Sequence, residues 1–434
     1  MHDHPSARAL LPLALFLSLF FGAGLYFSLG GDATGFYHLH APVAAVPAVA
    51  LAMLLGRRMR RKPVDVLLEG MGDPGIMLMC LIFFLAGAFA TVTRHIGGVD
   101  AAVALGLAVL PPAFLLPGLF AIAGAVSLAM GTSMGTIAAL APVAVGLAEA
   151  AGLGLPVALG SVVGGAMFGD NLSVISDTTI AATRTQGAAM RDKFRENVWI
   201  AVPAALVTLL WLAWLPGGHD AVAVPDASAW LALPYLVVLV LAVAGVDVLV
   251  VLALGIVLAA VLGLTLDAGY TLDAVAGDIW DGFQSMFEIM LLSLLVGGLA
   301  ALMREQGGLA WLATAIMRLG GRRSGRRTGE AGIAALGAVT DVFTANNTVA
   351  ILVSGPVARD LATHHGIRPG RAASLLDIFS CVMQGVLPYG AQILLAASVA
   401  GLAPLAVAGC VHYAWVLAAV TVLAVVTGRP RRRA

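Results

Sequence analysis

Eight stretches of this chain, 9–29, 39–56, 75–95, 197–215, 229–246, 247–264, 286–303 and 405–427, are each almost continuously apolar. About 20 such residues suffice for an α-helix to cross the hydrocarbon core of a bilayer. A water-soluble fold has no interior large enough to hide eight such runs. In lipid, every backbone N–H and C=O must find its partner inside the protein, and helices do this within a single segment. The first run could pass for a secretory leader. Its apolar core is long and a matching segment recurs later, so it reads as a membrane helix. Charged residues make up 11% of the chain and hydrophobic ones 60%, against about 25% charged in soluble proteins. The 24 basic residues balance the 24 acidic ones, which excludes a basic nucleic-acid binder.

The chain repeats itself. Gly87 and the run Arg94-His95-Ile96-Gly97-Gly98 match Gly297 and Arg304-Glu305-Gln306-Gly307-Gly308, 210 residues on. Ala141-Pro142-Val143-Ala144 matches Gly355-Pro356-Val357-Ala358, and Gly152 matches Gly366, at an offset of 214. Two repeats follow, 1–215 and 216–434. Lys and Arg collect in cytoplasmic loops. The basic run Arg57-Arg58-Met59-Arg60-Arg61-Lys62 has a counterpart at about 267–272 that carries no base, whereas Arg322, Arg323, Arg326 and Arg327 correspond to an uncharged stretch near 111–117. Opposite ends of the two halves therefore face the cytoplasm, which makes the repeats inverted, a signature of secondary transporters.

Two basic groups flank 330–363: the loop 318–327, and Arg359, Arg368 and Arg371. If both are cytoplasmic, the apolar segment between them enters and leaves on one side, as a re-entrant hairpin. By the repeat, 117–151 is its partner. The expected fold is an all-α polytopic membrane protein of two inverted repeats, each with about five transmembrane helices, one re-entrant hairpin and a broken helix. The broken helices fall at about 156–186 and 372–400. Both termini are expected in the cytoplasm of a bacterial-type inner (plasma) membrane. Arg184 and the run Arg191-Asp192-Lys193-Phe194-Arg195 read as a cytoplasmic flank that anchors the topology, and the acidic residues Asp267, Asp273, Asp278 and Asp281 mark the outer face.

Irregular backbone at membrane depth is tolerated only where protein buries it or it lines an aqueous cavity. Four such breaks occur, in two corresponding pairs. The hairpin tips carry Thr132, Ser133, Asn346, Asn347 and Thr348. The broken helices carry Asp170, Asn171, Ser173, Ser176, Asp177 and Thr178 in one half, and Gln384, Tyr389 and Gln392 in the other. Carbonyls left free at a break attract cations, and half-helix N-termini attract anions. Glycines at these places also suit close helix packing, as in Gly165-x-x-x-Gly169. An ionised carboxylate at the bilayer centre costs about 2.5–3.5 kcal/mol on insertion scales, so Asp170 and Asp177 read as Na⁺ or proton ligands. Asp341 and Asp377 are candidate accessory residues. No Arg reads as lying in the core to clamp an anion. Cys80, Cys381 and Cys410 lie far apart and read as buried fillers. No P-loop, HExxH motif or paired loop carboxylates speak for an enzyme, and no cofactor is expected beyond the ions themselves.

The run from Phe168 to Thr179, with Gly169-Asp170, Ser173 and Ser176-Asp177-Thr178-Thr179, resembles the signature of the NhaC-type Na⁺/H⁺ antiporter family. Thr132-Ser133, Asn346-Asn347-Thr348 and Pro388-Tyr389-Gly390-Ala391-Gln392 are similar to that family and its wider ion-transporter superfamily as well. The likeness extends from about Glu69 to Ala400. Val174-Ile175 stand where the family has Pro-Leu, which leaves the helix break less strictly enforced. The resemblance implies Na⁺/H⁺ exchange by alternating access, with a transport domain sliding like an elevator in a homodimer. The family also holds carriers of small carboxylates and amino acids, so a Na⁺- or H⁺-coupled carrier of a small organic substrate is the alternative.

Overall fold

A computed structural model describes residues 5–29, 38–109, 111–215, 227–266, 269–320 and 325–428. Arg322, Arg323 and Asp267, used above to orient the chain, lie outside the described residues. Among the described residues every regular element is helical. The first half holds α1 (Leu11–Leu29), α2 (Ala41–Leu55), α3 (Pro63–Met71), α4 (Pro74–His95) and α5 (Gly98–Val109), then α6 (Leu115–Met130), α7 (Ser133–Ala151), α8 (Leu155–Leu172), α9 (Asp177–Gln186) and α10 (Met190–Trp214). The second holds α11 (Leu233–Val243), α12 (Val248–Leu266), α13 (Leu272–Ser285), α14 (Phe287–Glu305) and α15 (Gly308–Gly320). It continues with α16 (Arg326–Thr344), α17 (Asn347–His364), α18 (Pro369–Val386), α19 (Ala391–Ala400), α20 (Pro404–Gly409) and α21 (His412–Thr427).

Eight helical stretches among the described residues are long and apolar enough to cross a membrane, two of them, Leu155–Gln186 and Pro369–Ala400, as broken helices. The chain is therefore a multi-pass membrane protein. Local signals set the ends of these helices. Asp73 caps α4, its Oδ1 accepting from the Gly75 N–H at 2.9 Å, and Pro74 fills the first helical position, where a missing N–H costs nothing. Arg94 and His95 sit in the last turn, where positive charge faces the negative end of the helix dipole. One expected span divides: 405–427 breaks at Cys410 and Val411 into α20 and α21. The acidic outer stretch contributes a helix, α13, that lies on α4 with Gly282 opposite Gly87 and Ala88.

Small residues bring α8 to the centre. A Cβ on Gly165 would strike the Phe120 carbonyl, and one on Gly169 the backbone of Gly124 and Leu128. Bare backbone at those two places lets α6 and α8 touch without side chains between them. Helix α8 also packs on α7, α10, α18 and α21. Contacts between the halves are crosswise, with α17 lying on α9 and α19 on α7. Gln186 Nε2 donates to the Gly355 carbonyl at 2.8 Å across the first of these seams.

Six of the eight element bounds in α6–α9 recur 214 residues on in α16–α19, the spacing found in the sequence. Gly131 and Ala345 turn in the left-handed region at φ 71° and 49°, and Gly152 and Gly366 do so at 66° and 62°. The two helix breaks, 173–176 and 387–390, lie at the same spacing.

A cluster of charges joins α10, α16 and α18. Arg371, 1% exposed, reaches Glu330 at 3.1 Å; Arg326 Nε holds the same carboxylate at 2.9 Å, and Arg368 pairs with Glu196 at 2.5 Å. An Arg is thus buried after all. Its Nη2 is held by Glu330 and its Nη1 lies 3.9 Å from Glu196 Oε2, so it sits between two carboxylates.

Candidate functional site

The two turns and the first helix break meet around one cavity of about 330 Å³. Four helices begin at it: α4 at Pro74, α7 at Ser133, α9 at Asp177 and α17 at Asn347. Thr132 Oγ1 accepts from the Gly135 N–H at 3.5 Å and Asn346 Oδ1 from the Val349 N–H at 3.0 Å, so each tip residue caps the helix it opens. Left-handed backbone at Gly131 and Ala345 reverses the chain just before these caps. Eleven of the residues expected at the site line this cavity: Asp170, Ser176, Asp177 and Thr178; Thr132 and Ser133; Asn346, Asn347 and Thr348; and Gln384 and Gln392.

Asp170 is its buried acid, 3% exposed. Ser176 Oγ donates to one carboxylate oxygen across the helix break, and Ser133 Oγ from the first tip donates to the other at 3.3 Å. Gln392 Nε2 donates to Ser133 Oγ at 3.2 Å, bringing the second broken helix into the same network. Ser176 and Thr178 hydroxyls lie 2.9 Å apart. Asp177 is exposed to the cavity in the first turn of α9. Gln384 Nε2 ties the second tip to α18 through the Ala345 carbonyl at 2.8 Å, while its Oε1 and that of Gln392 are buried without a partner.

Three expected residues lie outside the cavity and do structural work. Ser173 Oγ donates to the Leu128 carbonyl at 3.1 Å, and Tyr389 Oη donates to the Val342 carbonyl at 2.7 Å. Leu128 in α6 and Val342 in α16 are themselves 214 apart, so each break is stapled to the helix before its turn at the same place by a different residue type. Asn171 lies fully buried behind the break, its Nδ2 donating to Tyr413 Oη at 3.2 Å. The accessory acids also lie off the cavity. Both carboxylate oxygens of Asp341 are buried without a partner. Asp377 pairs with Lys193 at 2.8 Å, the two side chains 0% and 1% exposed.

Lys193 is a correction to the sequence reading. Three positions along from Met190, it points inward from α10 rather than into a cytoplasmic flank. Its neighbours Arg191, Asp192 and Arg195 are exposed, and a run of charges does not reveal which member a helix turns toward the core. Asp73 also went unnoticed. It lines the cavity from the start of α4, and its Asp-Pro pair opening an apolar run was the available signal.

The cavity is lined by three carboxylates, Asp170 buried, Asp177 open and Asp73 engaged in capping α4, and by several hydroxyl and amide oxygens. No group of three or more His, Cys, Asp or Glu side chains among the described residues is placed to hold a metal. A tightly held divalent ion calls for such a group. Neutral oxygens around one or two carboxylates suit a monovalent cation or a proton, held loosely enough to leave.

Fold and site together define a polytopic helical membrane protein whose paired helix breaks open onto an acidic cavity. More particularly, the chain belongs to the Na⁺/H⁺ antiporter family, whose model matches residues 13–214 and 221–429. That family is one of ion transporters and not of enzymes. The chain is 25% identical over 264 residues to the Na⁺/H⁺ antiporter NhaC of Bacillus subtilis, a match covering 53% of this chain and 58% of that protein. It is 41% identical over 54 residues to the Na⁺/H⁺ antiporter NhaC of Alkalihalophilus pseudofirmus, 12% of each chain. These matches span little more than half, and about an eighth, of the relatives' lengths. Among solved structures, the YdaH transporter of Alcanivorax borkumensis, described as having an unusual topology, aligns over 98% of this chain and 99% of its own. That alignment has 16% identity and a TM-score of 0.41, a likeness too loose to bear on mechanism.

Proposed function

We propose that this protein is a secondary transporter that exchanges Na⁺ for H⁺ at Asp170. The observation that carries this reading is the Asp170 carboxylate, buried at a helix break and held by Ser176 and by Ser133 of the facing tip. A carboxylate that takes either a proton or a sodium ion, never both, yields exchange without further machinery. Asp177, Thr178, Asn346, Asn347 and Thr348 supply oxygens along the route to it. The two halves act as inverted repeats, 1–215 and 216–434, with 117–151 and 330–363 as re-entrant hairpins. Alternating access then follows from their carrying the site across the bilayer, elevator-like, within a homodimer whose termini lie in the cytoplasm of the plasma membrane.

Asp170→Asn is expected to abolish Na⁺-induced dissipation of a pH gradient in proteoliposomes, a drop to the level of empty vesicles. Undiminished exchange would overturn the assignment.

One observation favours a second cargo. A cavity of 330 Å³ exceeds what a bare ion needs and falls in the range of small-molecule pockets, about 300–1,000 Å³. Four helix N-termini meet there, and such ends hold carboxylates. On this reading Na⁺ at Asp170 drives a small carboxylate or amino acid bound at Asn346 and Asn347. Counterflow of labelled organic acids and amino acids separates the two: uptake that depends on cargo supports the carrier, and Na⁺/H⁺ exchange indifferent to every cargo supports the antiporter.

A further inference from the structure

Behind the helix break, away from the cavity, four elements surround the Lys193 ammonium. Its three protons have three acceptors: Asp377 Oδ2 at 2.8 Å, Thr179 Oγ1 at 2.5 Å and the Asn171 carbonyl at 3.1 Å. Asn197 Nδ2 braces the same cluster, donating to the Asn171 carbonyl at 2.7 Å and to Asp377 Oδ2 at 2.8 Å. Every side chain involved is at least 99% buried. The ammonium is then saturated, yet the cluster has oxygens to spare. Asp377 Oδ1, Asn171 Oδ1 and Asn197 Oδ1 are all buried without a partner.

That surplus has a chemical meaning. A lysine can satisfy three oxygens, one per proton, in directions set by its tetrahedral nitrogen. A spherical cation draws on oxygens from all sides and imposes no such count. The carboxylate, helix-end carbonyl and hydroxyl that meet at the ammonium are ligand types that unwound transporter helices offer to Na⁺. We propose that the Asp377–Asn171–Thr179–Asn197 cluster is a second monovalent-cation cage, whose resident cation is the chain's own Lys193 ammonium. Tethered to α10, that cation cannot leave. The cage therefore adds no ion to the transport cycle, and it holds in place the carbonyl of Asn171, the residue next to Asp170 at the end of α8.

The test removes the tether. Lys193→Ala and the parent are purified free of Na⁺, and bound ²²Na⁺ is counted by equilibrium dialysis. Thermal unfolding is followed in parallel against NaCl, methylammonium chloride and choline chloride. The variant is expected to bind about one Na⁺ per chain more than the parent, and to be stabilised by Na⁺ and methylammonium but not by choline, which is too large for the space left. An unchanged Na⁺ count, or equal stabilisation by all three salts, overturns the proposal. The neutral pair Lys193→Met/Asp377→Leu guards against a trivial failure to fold. If it folds while Lys193→Ala folds in none of the salts, the cage does not accept a free cation and the proposal falls. Adding Asp170→Asn to Lys193→Ala keeps the two sites apart: the ion gained by opening the cage should survive the loss of the ion proposed at Asp170.

Discussion

Ala345 is the one non-glycine residue with positive φ among those described. An L-residue there carries roughly 1–2 kcal/mol of steric cost, partly offset because alanine loses less freedom on folding than glycine, about 0.4–1 kcal/mol. Ala345→Gly is therefore expected to stabilise the protein by about 0.5 kcal/mol, read as a small rise in unfolding temperature in detergent. Gly131→Ala should go the other way by more, because its Cβ would stand 2.8 Å from Ile175 Cγ1 as well as straining the turn. At this scale the sequence was readable where chemistry and local pattern coincide. Asp170, Ser176 and Ser133 were named from their types and the breaks around them, and they meet. Lys193 and Asn197 were not, because their significance is a matter of which way α10 is rotated, and neighbours four apart on a helix leave no mark on composition. The places of Ser173 and Tyr389 were hidden for a related reason: a hydroxyl near a break can line the opening or staple its wall, and only contacts such as those to Leu128 and Val342 tell which.

Among elements, the decisive contact is α6 against α8. Adding a methyl group at Gly165 pushes on the backbone of Phe120, which cannot swing away as a side chain would. Overpacking of this kind costs about 1–3 kcal/mol, and Gly165→Ala is expected to lower stability by that amount while also moving Asp170, five residues along. Matching losses of unfolding temperature and exchange rate would support this; wild-type stability would refute it. The joint between α10, α16 and α18 is electrostatic. Arg371→Met leaves the buried Glu330 with Arg326 alone, a loss of up to about 3 kcal/mol, and Arg371→Met/Glu330→Leu should recover most of it. Denaturant titration of the single and double variants measures the difference. Long apolar helices were legible from run length alone, since nothing else that long can sit in lipid. Helices α3 and α13 were not, being short and half polar, and the interruption at Cys410 leaves hydropathy unchanged.

For the whole molecule, the sequence repeat foretold a spacing that the helix ends keep, and the proposed inversion makes a further claim about sides. With native cysteines replaced, Arg60→Cys and Arg327→Cys should react with an impermeant thiol reagent only from the cytoplasm. Ser228→Cys and Thr271→Cys should react only from outside. Labelling of Arg60→Cys and Arg327→Cys from opposite faces would refute the inversion. What the repeat did not disclose is how the halves interlock, because pairing across a gap of some hundreds of residues is written in surface shape rather than in local pattern.

That interlocking bears on how the protein is made. Helix α9 meets its main partner only when α17 has been synthesised, and α7, already packed on α8, gains α19 later still. Until then the first half stands in the bilayer with Thr185, Gln186 and the polar wall around Asp170 facing lipid or water. A nascent chain in that condition is a client for insertion factors and a target for membrane proteases. Its acidic centre comes into being late, when the last third of the message has been read. Half-chains cut between Trp214 and Leu233 should accordingly be short-lived alone and persist when co-expressed.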